Sequence, residues 1–423
     1  MIILAAAPGL WCGAQQVITL KQCYDMAVSE NAISGEQKAY GDISRLKDAN
    51  IAKGWLPTLD ANANFIYNSD VVDFAAATSA IPAMASVFQP MPHDQYKLTL
   101  DVNQVIYDGG GIKSARQMEQ AELKVNEKQT ETDLYKIRSQ VNGYYFNILL
   151  LNRQKSLLEN YLEIITKRLS AVESGIKNGI LQKSDMDVVK SEKLKLEQQL
   201  TENNVRRNAL MKILSGMTGI NITEATDLVL PVSDDQFTSE LTRPELQLFD
   251  LRKEQLSAGI KMVESKRMPR AFGFATLGYG NPPGQNFFND SFDTYYIIGA
   301  GIKWNIFDWN RAKNEKQVIS LQQEIIDRRK TDLSDNIKRQ LDAKMSEIKS
   351  LQELVRTDTE LIEMRKRITA SAESQYENGT ITATEYLNEL NAEKNAVINA
   401  EIHKINLVLA GTEYKNISGK DIE

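Results

Sequence analysis

Four segments of the chain alternate between apolar and polar residues, as amphipathic strands do. The alternation predicts strands at 59–68, 97–107, 271–280 and 295–307. Each segment is about ten residues long, the length at which a tilted strand crosses a bilayer within a barrel. Five aromatic residues fall toward the strand ends, where the aromatic girdles of membrane barrels sit: Tyr67, Tyr107, Tyr295, Trp304 and Phe307.

A helical period replaces the alternation after Ile112. From Leu134 to Ile176 apolar residues recur at intervals of three and four, interrupted only by Lys155. This heptad pattern is typical of the packed seam of a coiled coil. Asn178-Gly179 ends the stretch and Asn378-Gly379 ends a similar one in the second half. We therefore expect long helical hairpins at 112–215 and 310–410.

The chain carries an internal duplication. Tyr107-Asp108-Gly109 returns as Phe307-Asp308-Trp309, and the two Asn-Gly turns show the same displacement of 200 positions. A period this long indicates a duplicated half-protein and not a solenoid repeat. The expected organisation is a signal peptide at 1–14, a first repeat at 15–216 that opens with a helix, a connector at 217–240, a second repeat at 241–411 that also opens with a helix, and a C-terminal tail at 412–423.

Composition narrows the chemistry that the chain can perform. It has 423 residues, a hydrophobic fraction of 42% and a mean hydropathy of −0.37, which favours exposed helices over a thick globular core. The net charge of −6, without a basic cluster, excludes nucleic acid as a partner. Two histidines and two cysteines are too few for a zinc site, and no acid–base pair or nucleophile has a partner at suitable spacing. We expect no cofactor, no metal and no enzymatic activity.

The N-terminal residues suggest export. The apolar stretch from Ile2 to Trp11 and the small residue Ala14 resemble the core and cleavage end of a secretory signal, although a basic n-region is missing. Cleavage after Ala14 would leave Cys23 as the single thiol. Acylation of Cys12, as in a lipoprotein, is the alternative.

Four amphipathic strands are too few to close a membrane barrel, since the smallest known barrels have about eight strands. An open edge in lipid leaves backbone groups unpaired at several kcal/mol each. If the strands lie in a membrane, the protein must therefore assemble from two, three or four copies.

At this point the sequence resembles the outer membrane efflux proteins of the TolC type. The resemblance lies in the duplication, in Leu56-Pro57 and Met268-Pro269 before the strands, in Arg243-Pro244-Glu245-Leu246 near the start of the second repeat, and in the glycines of the two hairpin turns. It implies a mixed α and β fold: a homotrimer with a 12-stranded β-barrel in the outer membrane of a Gram-negative bacterium, continuous with a periplasmic α-helical barrel. It also implies a passive exit duct that docks with a periplasmic adaptor (membrane fusion) protein and an inner membrane pump, for efflux or type I secretion.

The resemblance also assigns roles to residues near the hairpin turns. Gly179 and Leu181 in the first hairpin, and Gly379 and Ile381 in the second, match the tips that contact the adaptor. Glu385 matches an acidic gate position at the closed end of the tunnel, whereas Asn388 stands where a second gate acid is found. Asp185 and Glu389 complete the set of gate candidates.

Structural interpretations stand beside these functional ones. Thr382 to Glu385 also matches a capping box, and Asp185 lies in the first turn of a helix, where acids favour the helix dipole. Asp108 to Ser114 looks faintly like a phosphate loop, but its spacing favours a flexible corner between strand and helix. The alternative function is a periplasmic or cell-surface coiled-coil scaffold with small soluble sheets. The sequence does not select among drugs, metals, dyes and proteins as cargo.

Overall fold

The computed structural model describes residues 17–71, 91–179, 181–232, 237, 240–286 and 289–421. The expected signal peptide with Cys12 lies outside these residues, as does most of the loop between the first two strands. None of the described helices is both long enough and apolar enough to cross a membrane.

Most of the described chain is helical. The α-helices are α1 (Leu20–Glu30), α2 (Glu36–Ala52), α3 (Gly111–Tyr135), α4 (Ile137–Lys177), α5 (Lys183–Thr218), α6 (Pro244–Ser265), α7 (Arg311–Glu377) and α8 (Ala383–Ser418). Two 3₁₀ turns, Ala32–Gly35 and Lys53–Trp55, flank α2. With 67 residues, α7 extends over about 100 Å at the usual rise per residue.

Six strands form two sheets. The strands are β1 (Val17–Ile18), β2 (Thr58–Tyr67), β3 (Asp94–Tyr107), β4 (Asp227–Leu228), β5 (Arg270–Asn281) and β6 (Asp293–Lys303). β1 and β4 make a short parallel pair, while the larger sheet has the antiparallel order β2-β3-β5-β6.

The described chain divides into two compact units. The first comprises 1–37, 128–248 and 329–423, and the second 38–127 and 249–328. The first unit is built from helices whose apolar faces form three buried clusters. One cluster surrounds Val141, Tyr145 and Leu214, a second surrounds Ile165 and Leu196, and a third contains Ile337 and Ile348. The heptad positions from Ile137 to Val172 supply much of the first two clusters, so the seam is core packing.

The second unit contains the four-stranded sheet, which has one apolar face. The strand register places Leu59, Val102, Ala275 and Ile298 in one row of this face, and the next row is formed by Ala61, Leu100, Leu277 and Tyr296. Many of these side chains are exposed, among them Leu98, Leu100, Leu277, Ile298 and Ile302. The opposite face carries Asp60 and Asp101 in directly opposed positions on β2 and β3.

Three segments differ from the expectations. β6 ends at Lys303, so the extension of this strand to 307 was wrong. Lys303 pairs with Arg270, the first residue of β5, and Pro269 before it has no N–H to continue the ladder. The helix expected to run unbroken from Ile112 has a turn at Lys136 between α3 and α4. The segment taken for a C-terminal tail is helical to Ser418, where Gly419 ends α8 with φ +96°.

Candidate functional site

The two hairpin turns have the same local geometry. Gly179 has φ +72° and donates its N–H to the Ile176 carbonyl at 3.0 Å, and Gly379 has φ +70° and donates to Tyr376 at 3.0 Å. A side chain would strain this left-handed backbone conformation, although no atom within 4 Å would meet an added Cβ at either position. Glycine is therefore required by the backbone and not by crowding.

The apolar residues that follow the glycines turn toward the protein interior. Leu181 and Ile381 are half-buried and pack against the cluster around Ile165 and Leu196. A Cβ added at Gly175 would lie 2.7 Å from Leu181 Cδ1, which shows how closely the turn folds onto α4. Leu181 and Ile381 hold the turns against the helices. The exposed surface of each tip therefore consists of the turn backbone and the polar side chains beside it.

The two acidic candidates beside the turns serve as helix caps. Glu385 accepts hydrogen bonds through Oε2 from the Thr382 N–H at 2.8 Å and the Thr382 hydroxyl at 3.0 Å. The bond from the Thr382 backbone holds the pKa of Glu385 below its usual range. Asp185 accepts from the Gln182 N–H at 3.1 Å in the equivalent position of the first hairpin. Capping is thus an observed role of both carboxylates.

The other two gate candidates have different surroundings. Asn388 is exposed. Glu389 is half-buried and pairs with Arg365 at 3.4 Å, while its carbonyl accepts from the Thr369 hydroxyl at 3.3 Å. Among the described residues, no side-chain hydrogen bond or ion pair joins the four gate candidates to one another.

A cluster around Arg168 was not foreseen from the sequence. Arg168 on α4 forms ion pairs with Glu373 and, at 3.3 Å, with Glu377, both on α7. Its guanidinium also lies 4.9 Å from the centroid of the Tyr386 ring and 5.6 Å from that of Tyr376. These contacts link the first hairpin to both helices of the second.

The two tyrosines of this cluster stack on one another. Their ring centroids are 5.6 Å apart with an interplanar angle of 13°. Burial raises the pKa of both phenols, and the nearby Asp185 carboxylate adds to the effect on Tyr376. The Tyr376 hydroxyl is buried and has no hydrogen-bond partner among the described residues. The cluster therefore combines stacked rings with one buried hydroxyl, that of Tyr376, which has no hydrogen-bond partner in the described part of the chain and lies near the gate candidate Asp185.

A buried ion pair also lies between the hairpins. Lys394 on α8 approaches Glu192 on α5 at 3.5 Å, with side-chain exposures of 6% and 12%. Burial lowers the pKa of Lys394. A pair this deep costs desolvation energy, so it ties the two helices together only while both partners are present.

Comparison with known proteins identifies the family that this architecture resembles. Residues 45–213 match the family model of the outer membrane efflux proteins. The resemblance seen in the sequence is confirmed. No curated protein matches the chain in sequence. Outer membrane efflux proteins are passive channels and not enzymes.

Solved structures show the same fold at low sequence identity. The CmeC outer membrane channel of Campylobacter jejuni shares 14% identity at a TM-score of 0.67, covering 95% of this chain and 85% of its own. The outer membrane protein VceC of Vibrio cholerae shares 15% at 0.69, covering 96% and 97%. The MtrE outer membrane channel of Neisseria gonorrhoeae, in its open state, shares 15% at 0.66, covering 96% and 89%. The mixed fold of long helices and a sheet is therefore confirmed.

Proposed function

We propose that this protein is the outer membrane exit duct of an efflux or secretion system, with three copies closing a twelve-stranded barrel. One observation carries the proposal: the sheet of four strands has an exposed apolar face, and its edge strands β2 and β6 have no further partner strand within the described residues. Both features are costly in water and the open edges are costly in lipid as well. Three copies of the sheet, joined edge to edge, remove the open edges and give the apolar face a lipid environment.

Charge on the apolar face tests the barrel. Leu100→Arg should cost about 2 to 4 kcal/mol near the bilayer midplane and reduce assembly in the outer membrane, whereas Ile302→Arg, one residue from the end of β6, should cost only about 0 to 1 kcal/mol. Asn103→Arg, on the opposite face of β3, is the matched control and should be tolerated. Equal tolerance on both faces would defeat the barrel and favour the scaffold. Ile306 and Asn305 are unsuitable for this test because both lie beyond the end of β6.

Outer membrane fractionation tests the assembly directly. The protein should co-fractionate with outer membranes as an oligomer that resists mild detergent, and its mass should equal that of three chains. A monomer in the soluble periplasmic fraction would contradict the proposal.

The hairpin turns are the proposed contacts for a periplasmic adaptor that connects the duct to an inner membrane pump. Gly179 and Gly379 present exposed turns without neighbouring atoms, which leaves room for a partner. Gly379→Val should strain the turn by roughly 1 to 2 kcal/mol, too little to unfold the long hairpins. We expect export to fall while trimers still assemble, and Gly411→Val, within α8, is the control for a glycine change elsewhere. Loss of trimers in Gly379→Val would show that the turn is only structural.

Glu385 and Asp185 are the proposed gate acids. Three copies of each around one axis would attract cations and repel anions. Conductance of the isolated protein in planar bilayers should show cation preference and block by a trivalent ion, both weakened in Glu385→Gln. Unchanged selectivity in Glu385→Gln and in Asp185→Asn would leave both carboxylates as caps alone.

A further inference from the structure

All three tryptophans in the described residues lie at one end of the four-stranded sheet. This junction end is formed by Thr58, Tyr107, Arg270 and Lys303, where the strands meet the helical segments. Trp55 precedes β2, Trp304 follows β6 and Trp309 precedes α7, with exposures of 43%, 58% and 84%. Exposed indoles gathered at one level are typical of a membrane–water interface.

The same end carries a surplus of positive charge. Its acidic residues are engaged: Asp48 with Arg116 at 2.6 Å, Glu264 with Lys316 at 3.3 Å, Glu315 with Arg311 at 3.0 Å, and Asp108 and Asp308 with backbone N–H groups at the starts of α3 and α7. Six cations at this end have no ion pair within the described residues: Lys53, Lys113, Lys266, Arg270, Lys303 and Lys313.

The duplication places two of these cations in equivalent positions. Lys113 is the third residue of α3 and Lys313 the third residue of α7, both are exposed, and neither helix has an acid in its first turn. A cation there opposes the helix dipole. Asp108 and Asp308 cap the two helix starts but form no ion pair with Lys113 or Lys313, so an external anion would add to the stabilisation of both lysines.

The other end of the sheet has the opposite charge. From Asn68 to Gln95 and from Asn281 to Thr294 the sequence contains no lysine or arginine, but it contains Asp70, Asp73, Asp94, Asp290 and Asp293. The two ends of the same strands are thus chemically distinct. A general need for solubility would place both signs at both ends, so the asymmetry indicates two different surroundings.

We propose that the junction end binds the headgroups of anionic phospholipids, with Lys113 and Lys313 as the principal phosphate contacts and Trp55 and Trp309 as the interfacial anchors. Lysine near a membrane surface gains from anionic lipid, and indole occupies the headgroup level. An open cavity of about 320 Å³ lies beside Trp55, with Lys113, Arg116 and Gln117 among its lining residues. The ammonium group of Lys113, the amide of Gln117 and the indole of Trp55 could contact one headgroup there.

This inference rests on the proposed outer membrane barrel. It assigns the junction end to the periplasmic leaflet of that membrane. Arg270 and Lys303 share the face of the sheet opposite to the apolar one, because Ala271 and Ile302 beside them belong to the apolar face. They are therefore not counted among the lipid contacts.

Quenching of indole fluorescence tests the preference. The full-length protein, in a Trp11→Phe background that leaves Trp55, Trp304 and Trp309, is reconstituted into phosphatidylcholine vesicles. Brominated phosphatidylglycerol or brominated phosphatidylcholine is then added at equal mole fraction. The relative association constant should favour the anionic lipid by about fivefold, the equivalent of one lysine contact near a membrane surface. The preference should shrink at high ionic strength.

The double variant Lys113→Gln/Lys313→Gln should lower this ratio to about one without preventing insertion. The matched control is Lys167→Gln/Lys366→Gln, which removes the same charge from exposed lysines of the helical unit and should keep the wild-type ratio. Equal quenching by both lipids in the wild type, or an unchanged ratio in the Lys113/Lys313 variant, would overturn the inference and leave the barrel intact. Absence of quenching by either lipid would overturn the barrel and the inference together.

Discussion

Arg168 should control how firmly the two hairpins are held together beside their turns. Replacing it by methionine keeps most of the aliphatic stem but removes the charge, both ion pairs and both ring contacts. Because Glu373 and Glu377 are 46% and 61% exposed, each ion pair contributes about 0.5 kcal/mol. Each of the two cation–π contacts adds about 0.5 to 1 kcal/mol. The whole cluster therefore stabilises the observed packing of the two hairpins by about 2 to 3 kcal/mol.

A local loss of this size is best measured by amide hydrogen exchange, because the assembly does not unfold in a single two-state step. Protection of peptides from α4, α7 and α8 that flank the turns should fall by roughly 30- to 150-fold in Arg168→Met. Peptides from the sheet should not change. Arg168→Lys should give protection between that of the wild type and that of Arg168→Met, because lysine keeps a charge for Glu373 but cannot stack on the tyrosine rings.

The control is Arg367→Met, which removes an exposed arginine from the part of α7 that precedes Glu373. It should leave protection near the turns unchanged. If Arg168→Met also leaves it unchanged, the cluster does not hold the hairpins, and the reasoning from its contacts is refuted. In bilayer recordings Arg168→Met should raise the open probability of the channel, because the helices that carry Glu385 and Asp185 are then less constrained.

Four further predictions concern other parts of the chain. Lys394→Met should destabilise the helical unit by about 1 to 3 kcal/mol, because within the described residues the buried Glu192 keeps only the more distant Lys195 at 3.8 Å, whereas Lys394→Met/Glu192→Leu should recover most of the loss in thermal unfolding. Because burial lowers the pKa of Lys394, the unfolded chain binds this proton more tightly, so the wild type should gain stability relative to the double variant as the pH rises toward 10.5. Cys23 is fully buried and burial raises its pKa to about 12, so it should resist alkylation at pH 8 until the protein is unfolded; rapid labelling of folded protein would contradict this. Gly301→Val would place Cβ 2.7 Å from Phe272 Cζ and should reduce assembly, and Phe272→Ala in the same chain should restore it.

The strands and helices could be predicted because each shows its own period. Alternation revealed the four strands, and the heptad seam from Ile137 to Val172 revealed the core of the first unit. The end of β6 was missed because alternation continues to Ile306, although the partner strand β5 begins only at Arg270, opposite Lys303. Register with a partner strand, and not the pattern of one strand, sets where pairing stops.

The candidate site was only partly predictable for a related reason. The capping role of Glu385 follows from residues three positions apart, so the sequence displays it. The contacts of Arg168 join it to residues about 200 positions away, and a lone arginine in a heptad-rich helix gives no sign of them. Pairs that form between hairpins become visible only when the packing of α4 against the second hairpin is known.

The cap and the gate are compatible roles of Glu385, because the cap supplies what a gate needs. A carboxylate that repels anions must remain ionised and must be held in place, and both conditions become harder to meet when like charges are brought close together. The Thr382 backbone N–H and hydroxyl favour the ionised form and fix its position at the start of α8. Asp185 accepts a hydrogen bond from the Gln182 N–H, which fixes its position at the start of α5. Helix capping by Thr382 would therefore let an assembled ring of Glu385 carboxylates stay charged at neutral pH without any additional cation from the protein.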